Sequence, residues 1–276
     1  MAAGAWRTVA ADLRLYRRLI GMQIRAQAQY RASTIFSAVS YFFVTSLEFA
    51  VVFVLFGSFP SLTGWRVGEV ALLYATTSFA FGLAELFGAG IDTFPDVIRR
   101  GEFDRVLLRP VSALLQVLTN DFRLRRFGRI TQGALGLALA LTLLPGLHWS
   151  LAKVAALALG VLSGAVIFIS VLLLGATVCF WTVETTELTS LFYYGGREMT
   201  SWPLSIYSEA LQRVFVYVLP LAFGAYLPVC YALGKAPPFG LPGAAAFAAP
   251  LAAAVVALVA WHVWHFGVRH YQSTGS

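Results

Sequence analysis

Glu48 and Glu85 are the only carboxylates well inside the long apolar runs of this 276-residue sequence. An ionisable group at bilayer depth is costly unless it is paired or solvated, so each is a candidate functional group. Two readings stay open. They could line a polar path for a transported substrate, or each could hydrogen-bond to neighbouring helices. By helical rise, Glu48 lies roughly 20 Å and Glu85 roughly 10 Å from the same end of their runs, so they are not expected to pair within one chain. His262 and His265 could in principle hold a metal. Together with Trp261, Trp264, His270 and Tyr271 they read instead as an interfacial aromatic belt, and no metal site is expected. Cys179 and Cys230 sit in apolar runs and supply neither a disulfide framework nor a metal pattern. The sequence has no H-E-x-x-H, G-x-S-x-G or G-x-x-x-x-G-K-[ST]. No catalytic residue is therefore named, and ATP binding through a P-loop is excluded.

Charge also concentrates in "VIRRGEFDRVLLRPVS", residues 97–112, which holds four arginines, Glu102 and Asp104. Arginines on a cytoplasmic loop fix orientation, which accounts for Arg99 and Arg100, but acids contribute little to that rule. Phe103, Val106, Leu107 and Leu108 would be costly to leave exposed there. Gly101 reads as a break, and residues 102–108 read as a short helix with mixed charges and an apolar face, stopped before Pro110. Such an element suits docking into a groove on a partner.

The elements that carry these residues follow from composition. The chain is 59% hydrophobic and 12% charged, against about 25% charged in an average soluble domain. Its mean hydropathy is +0.74. A soluble exterior needs more polar side chains than this, so the chain reads as an integral membrane protein. The net charge of +7 does not indicate nucleic acid, because the basic residues lie between apolar runs and not on a soluble basic face.

Six runs are long and apolar enough to span: 34–57, 70–91, 128–147, 154–181, 214–233 and 243–266. They are continuously apolar and do not alternate, which favours an all-α fold over a barrel. Six arginines precede the first run, eight lie in residues 99–129, Arg197 and Arg213 lie between the fourth and fifth runs, and Arg269 follows the sixth. The opposite side receives only Arg66, Lys153 and Lys235. This bias predicts both termini in the cytoplasm. No cleavable signal is evident, and the chain is expected in a cytoplasmic membrane.

The expected organisation is an interfacial segment, 1–33, followed by a six-span domain, 34–276, with a long cytoplasmic loop at 92–127. In the first segment Val9, Leu13, Tyr16, Ile20 and Ile24 share one helical face, while Arg14, Arg18 and Arg25 project elsewhere toward lipid headgroups. Gly160 and Gly164 form a G-x-x-x-G in the fourth span. Pro220 and Pro228 should kink or break the fifth, and "GKAPPFGLP" after it cannot continue a helix and is expected to form a short cap or a partial re-entry at the outer face.

In order and topology the chain resembles the permease subunits of type-2 ATP-binding-cassette (ABC) transporters. The stretch "RRGEFDRVLLRPVS" is similar to the pattern R-x-G-x-[FL]-D-x-x-L-x-x-P that such permeases carry between their second and third spans. "WPLSIY", "LPLAFGAYLP" and the terminal "YQSTGS" are similar to a subfamily often encoded as paired permeases beside one ATPase. The resemblance implies a coupling helix that contacts a nucleotide-binding subunit, formed or flanked by Arg99, Arg100, Gly101, Glu102, Phe103, Asp104, Arg105, Leu108, Arg109 and Pro110. It makes the N-terminal helix a connecting helix at the inner interface. It further implies two ATPase copies that bind ATP and magnesium, a second permease that is similar but different, and an exported substrate of unstated identity, in a bacterial membrane. This chain would hold no cofactor of its own. The rival reading is a six-span secondary transporter or channel, which would need a charged interior with broken helices at the midplane.

Overall fold

The computed structural model describes residues 2–182 and 190–272, with side chains at residues 14–182 and 191–272. Among the described residues the chain is helical, and the one extended pairing is an isolated bridge between Leu62 and Trp65. In chain order the α-helices are α1 (Ala2–Gln29), α2 (Arg31–Ser58), α3 (Val67–Asp92), α4 (Phe94–Arg99), α5 (Phe103–Leu107), α6 (Ala113–Asn120), α7 (Phe127–Thr142), α8 (Leu151–Thr177), α9 (Gly195–Thr200), α10 (Glu209–Arg213), α11 (Tyr226–Leu233) and α12 (Ala249–His270).

The bundle is built around α3. Its sequence is rich in Ala, Leu and Gly and free of proline, and its first turn is closed by Glu69, whose carboxylate accepts the Arg66 N–H at 2.8 Å. It is buried on nearly every side, as an all-round apolar helix must be. α7 and α8 pack along it, and α12 packs along α8. α2 lies against α7 but stays open along its outer face, where Phe36, Phe43, Leu47 and Val54 are exposed. In hydrocarbon such a face needs no cover.

Among the described residues four helical stretches are long and apolar enough to cross a membrane: Arg31–Ser58, Val67–Arg99, Leu151–Phe180 and Gly243–His270. The other two expected runs take different forms. α7 has 16 residues, about 24 Å against roughly 30 Å of hydrocarbon. The run 214–233 is broken, as its prolines required. A π-helical turn at Val214–Val218 stops at Pro220, a 3₁₀ turn follows at Leu221–Phe223, and α11 begins at Tyr226. Pro228 sits in the first turn of α11, where no intrahelical donor is lost. The break lets backbone meet backbone: a Cβ on Gly164 would stand 2.9 Å from Gly224 Cα, and one on Gly160 would stand 2.5 Å from Pro228 Cγ. The G-x-x-x-G of α8 thus seats the broken segment.

α11 ends at a glycine C-cap. Gly234 is left-handed (φ 69°), and the Lys235 N–H closes on Cys230 O at 2.9 Å. Lys235 then reaches Glu69 at 3.1 Å and Gly64 O at 3.0 Å, pinning this end of the bundle. At the opposite end α1 leads into α2. Tyr16 and Ile20 are half-buried while Arg14, Arg18 and Arg25 are exposed, and burial raises the Tyr16 pKa. Ile24 is exposed, and the expected apolar positions Val9 and Leu13 lie outside the described side chains.

Candidate functional site

Five helical segments converge on a buried charge network. α3 brings Tyr74 and Glu85, eleven residues apart, which spreads the network over roughly 16 Å of helix. α2 brings Tyr41 and Glu48 on the face turned toward α7. Arg129 comes from α7, Arg126 from the 3₁₀ turn Leu124–Arg126 before it, and Arg197 from α9. α7 comes close enough to α2 for this because Gly128 lies directly against the backbone of Ala38 and Phe42. The Thr77 hydroxyl donates to Thr200 O at 3.0 Å and holds the end of α9 on α3.

Arg129 is the hub. Its Nε meets Glu85 Oε2 at 2.9 Å, its Nη1 meets Glu48 Oε2 at 3.3 Å, and its Nη2 donates to the Tyr41 hydroxyl at 3.3 Å. Tyr41 in turn donates to Glu85 at 2.7 Å. Arg126 donates to the backbone oxygen of Glu85. Arg197 joins the far end: its Nη2 reaches Glu48 Oε2 at 2.9 Å and the Tyr74 hydroxyl at 2.9 Å, and its Nη1 faces Glu198. The Phe81 ring lies beneath both guanidiniums, 5.4 Å from Arg129 and 5.9 Å from Arg197. Glu85, Arg126, Arg129 and Arg197 are buried, whereas the Glu48 side chain is partly open. Each buried charge thus has an opposite charge or a hydrogen-bonding partner, the condition under which ionised groups persist at such depth.

The two carboxylates do not pair with each other, as expected, and Arg129 bridges them. Counting rises along α2 and α3 could not include a long side chain from a third helix. The orientation count is corrected. Arg126, Arg129 and Arg197 count as loop charges by sequence, and all three are interior. Fourteen basic residues against three remain, so the bias survives. These arginines were within reach of sequence reasoning, since two carboxylates in apolar runs demand counter-charges. Tyr41 and Tyr74 carried no such signal.

The second site is the loop from α4 to α6. α4 ends in a left-handed Gly101 (φ 67°), with Glu102 N–H on Val97 O at 3.0 Å and Gly101 N–H on Ile98 O at 2.9 Å. This Schellman closure is the break that the sequence suggested. α5 follows and ends before Pro110. Phe103 is not on its surface: it is fully buried among Phe94, Phe180, Trp264 and Tyr271, with ring centroids 5.1 to 6.3 Å away. Burial and the neighbouring Asp104 carboxylate raise the Tyr271 pKa. Arg99, Arg100, Glu102, Arg105, Leu108, Arg109 and Pro110 are exposed, and Leu108 is the most open of the apolar ones at 85%. Gln116 of α6 donates to Val106 O and Val111 O at 3.0 and 3.1 Å and holds the loop in shape. Gln27 of α1 ties in the next stretch, donating to Phe122 O at 2.5 Å and accepting from the Leu124 N–H at 2.9 Å.

His262 and His265 bond to carbonyls of their own helix, Leu258 and Trp261. No cluster of three or more His, Cys, Asp or Glu occurs among the described residues.

A protein-family model described as ABC-2 family transporter protein matches residues 42–275. No curated protein and no solved structure matches the chain. The matched span contains the interior network from Glu48 onward, the loop from α4 to α6, and all four helices long enough to cross a membrane except the start of the first. With its apolar all-helical bundle, its interior charges and its short helix on an exposed loop, the chain belongs to the ABC-2 family of transporter membrane proteins.

Proposed function

We propose that this chain is the permease subunit of an ATP-driven exporter in a bacterial cytoplasmic membrane. It crosses the membrane six times with both termini in the cytoplasm, α7 and the broken segment 214–233 making the third and fifth crossings. It has no catalytic site of its own. Two copies of a separate ATPase bind ATP and magnesium, and a second permease, similar but not identical, completes the path. Residues 92–127 form the coupling loop, and α1 lies along the inner interface. Family membership and the surviving arginine bias support this reading.

The observation that carries it is the division of labour between Phe103 and the other residues of α5 and its two ends. Phe103 is locked in an aromatic cluster drawn from α4, from α12 and from the residues just after α8 and α12, while Glu102, Arg105, Leu108 and Arg109 are exposed. A helix built this way transmits force. A partner gripping its outer face would move Phe103, and Phe103 would move the bundle as a semi-rigid body. Closure of an ATPase dimer against two such helices would then reorient the spans.

Two variants test this. Asp104→Arg reverses a charge in the first turn of α5, and Leu108→Asp places a carboxylate at the exposed apolar residue that ends it. Each should lower ATPase retention in co-purification about tenfold or more, as for loss of one interface anchor, with the thermal midpoint of the chain unchanged. Normal ATPase assembly and full transport in both variants would remove the coupling role of this loop.

A further inference from the structure

The Arg197 guanidinium is only partly used. Its Nη1 faces Glu198 and its Nη2 reaches Glu48 and Tyr74, but its buried Nε has no hydrogen-bond partner among the described residues. Nε and Nη2 form one edge of the guanidinium fork, the edge that a carboxylate or phosphate can grip with two oxygens. Glu48 offers that edge one oxygen, Oε2, and shares it with Arg129 Nη1. A buried donor without an acceptor keeps its desolvation cost unrecovered. The arrangement therefore favours an anion that satisfies Nε as well.

Glu48 is also the member of the network with access. Its side chain is 36% exposed, against 7% for Arg129 and 5% for Arg197. It stands on α2, which has only three buried residues, Thr45, Phe49 and Val52. Val44 and Val51, four residues before it and three after, share its side of the helix and are exposed. An open apolar strip thus leads to the carboxylate.

We infer that Arg129 and Arg197 form an anion site that Glu48 fills as an internal counter-ion, and that the oxyanion head of an amphipathic molecule exchanges with it. This names a substrate class for the permease proposed above and rests on that reading. The head, a carboxylate or phosphate monoester, takes the Nε–Nη2 edge of Arg197 and the Tyr74 hydroxyl. The apolar body lies along Val44 and Val51. The exchange replaces one negative charge by another, so the buried arginines stay compensated. It also frees Glu48 from α7 and α9 together. α2 then keeps Tyr41–Glu85 as its polar tie to α3 and is freer to move.

The test uses the assembled transporter, this chain with its ATPase and second permease, in vesicles of zwitterionic lipid. Dodecyl phosphate should stimulate ATP hydrolysis and dodecyltrimethylammonium should not. Glu48→Gln removes the competing charge and should lower the half-stimulating concentration of dodecyl phosphate about tenfold. Arg197→Lys keeps the charge but not the fork, and should raise that concentration about tenfold. The same half-stimulating concentration in all three proteins, or equal stimulation by the cation, overturns the inference. Vesicles containing phosphatidylglycerol separate the sources of the head group. Full stimulation by those vesicles alone assigns the site to bilayer lipid and overturns its role in transport. Failure of any ATPase to assemble with the chain sinks the permease reading itself, whereas normal assembly without anion preference sinks only the anion site.

Discussion

Arg99 and Arg129 stand thirty positions apart in one charged stretch of sequence, and their surroundings give them opposite roles. Arg99 pairs with Asp96 one turn back on α4, Arg99 exposed and Asp96 half-exposed, at the end of the bundle that carries α5. Arg129 pairs with Glu85, both buried, and holds α2, α3 and α7 together. In water an ion pair gains little, because solvent already serves both charges. In the interior each charge depends on its partner, and removing one strands the other. The difference separates a surface whose residues are free to be chosen for a partner from a core whose residues are fixed by one another.

The sharpest way to break that contrast is at Arg129. Arg129→Leu strands Glu85 and takes one of two partners from Glu48. It should cost about 3–5 kcal/mol, read as a large fall in thermal midpoint and in folded yield from membranes. Adding Glu85→Gln removes the stranded charge, so the double variant should be more stable than Arg129→Leu alone. A double variant no better than the single would mean that Arg129 acts by packing, and the network would lose its electrostatic reading.

Phe103 tests the other region from beneath. It belongs to the charged stretch by sequence and to the core by position. Phe103→Ala opens a cavity among Phe94, Phe180, Trp264 and Tyr271 and should cost about 3 kcal/mol. Phe103→Leu refills most of the space and should recover most of the stability, with weaker coupling of ATP hydrolysis to transport. Full stability in Phe103→Ala would show that α5 is not anchored.

What was legible in the sequence follows the same division. Local signals were read well. The Gly101 break, the short helix before Pro110 and the interruption at Pro220 each rest on backbone chemistry within a few residues. The weight of Glu48 and Glu85 was legible too, because their cost depends on depth alone. Partners were not. Arg197 lies 149 positions from Glu48, and Tyr74 lies 123 from Arg197. Periodicity fixes a face on one helix but does not say which helix meets it. That the cover of Phe103 comes from within the chain was hidden for the same reason, since its neighbours come from α4, from α12 and from the residues just after α8. The 16-residue length of α7 was missed because hydropathy continues past Thr142 into 143–147, where the helix has ended.

The smallest predicted effect closes the comparison from the exposed side. Arg99→Ala removes the pair with Asp96 and a positive charge in the last turn of α4. The pair is one turn apart and wet, and the helix-end contribution falls off within that turn and is screened by salt. The stability change should stay within about 0.5 kcal/mol, and thermal melts at low and high salt should differ little between the variant and the parent. Retention of the ATPase is a separate readout. If Arg99 belongs to the docking face, retention falls while the melt does not move, and the fall is larger at low salt, where exposed charges act at longer range. A melt displaced as far as that of Arg129→Leu would make exposure irrelevant to what an arginine contributes here, and the two regions would no longer be different in kind.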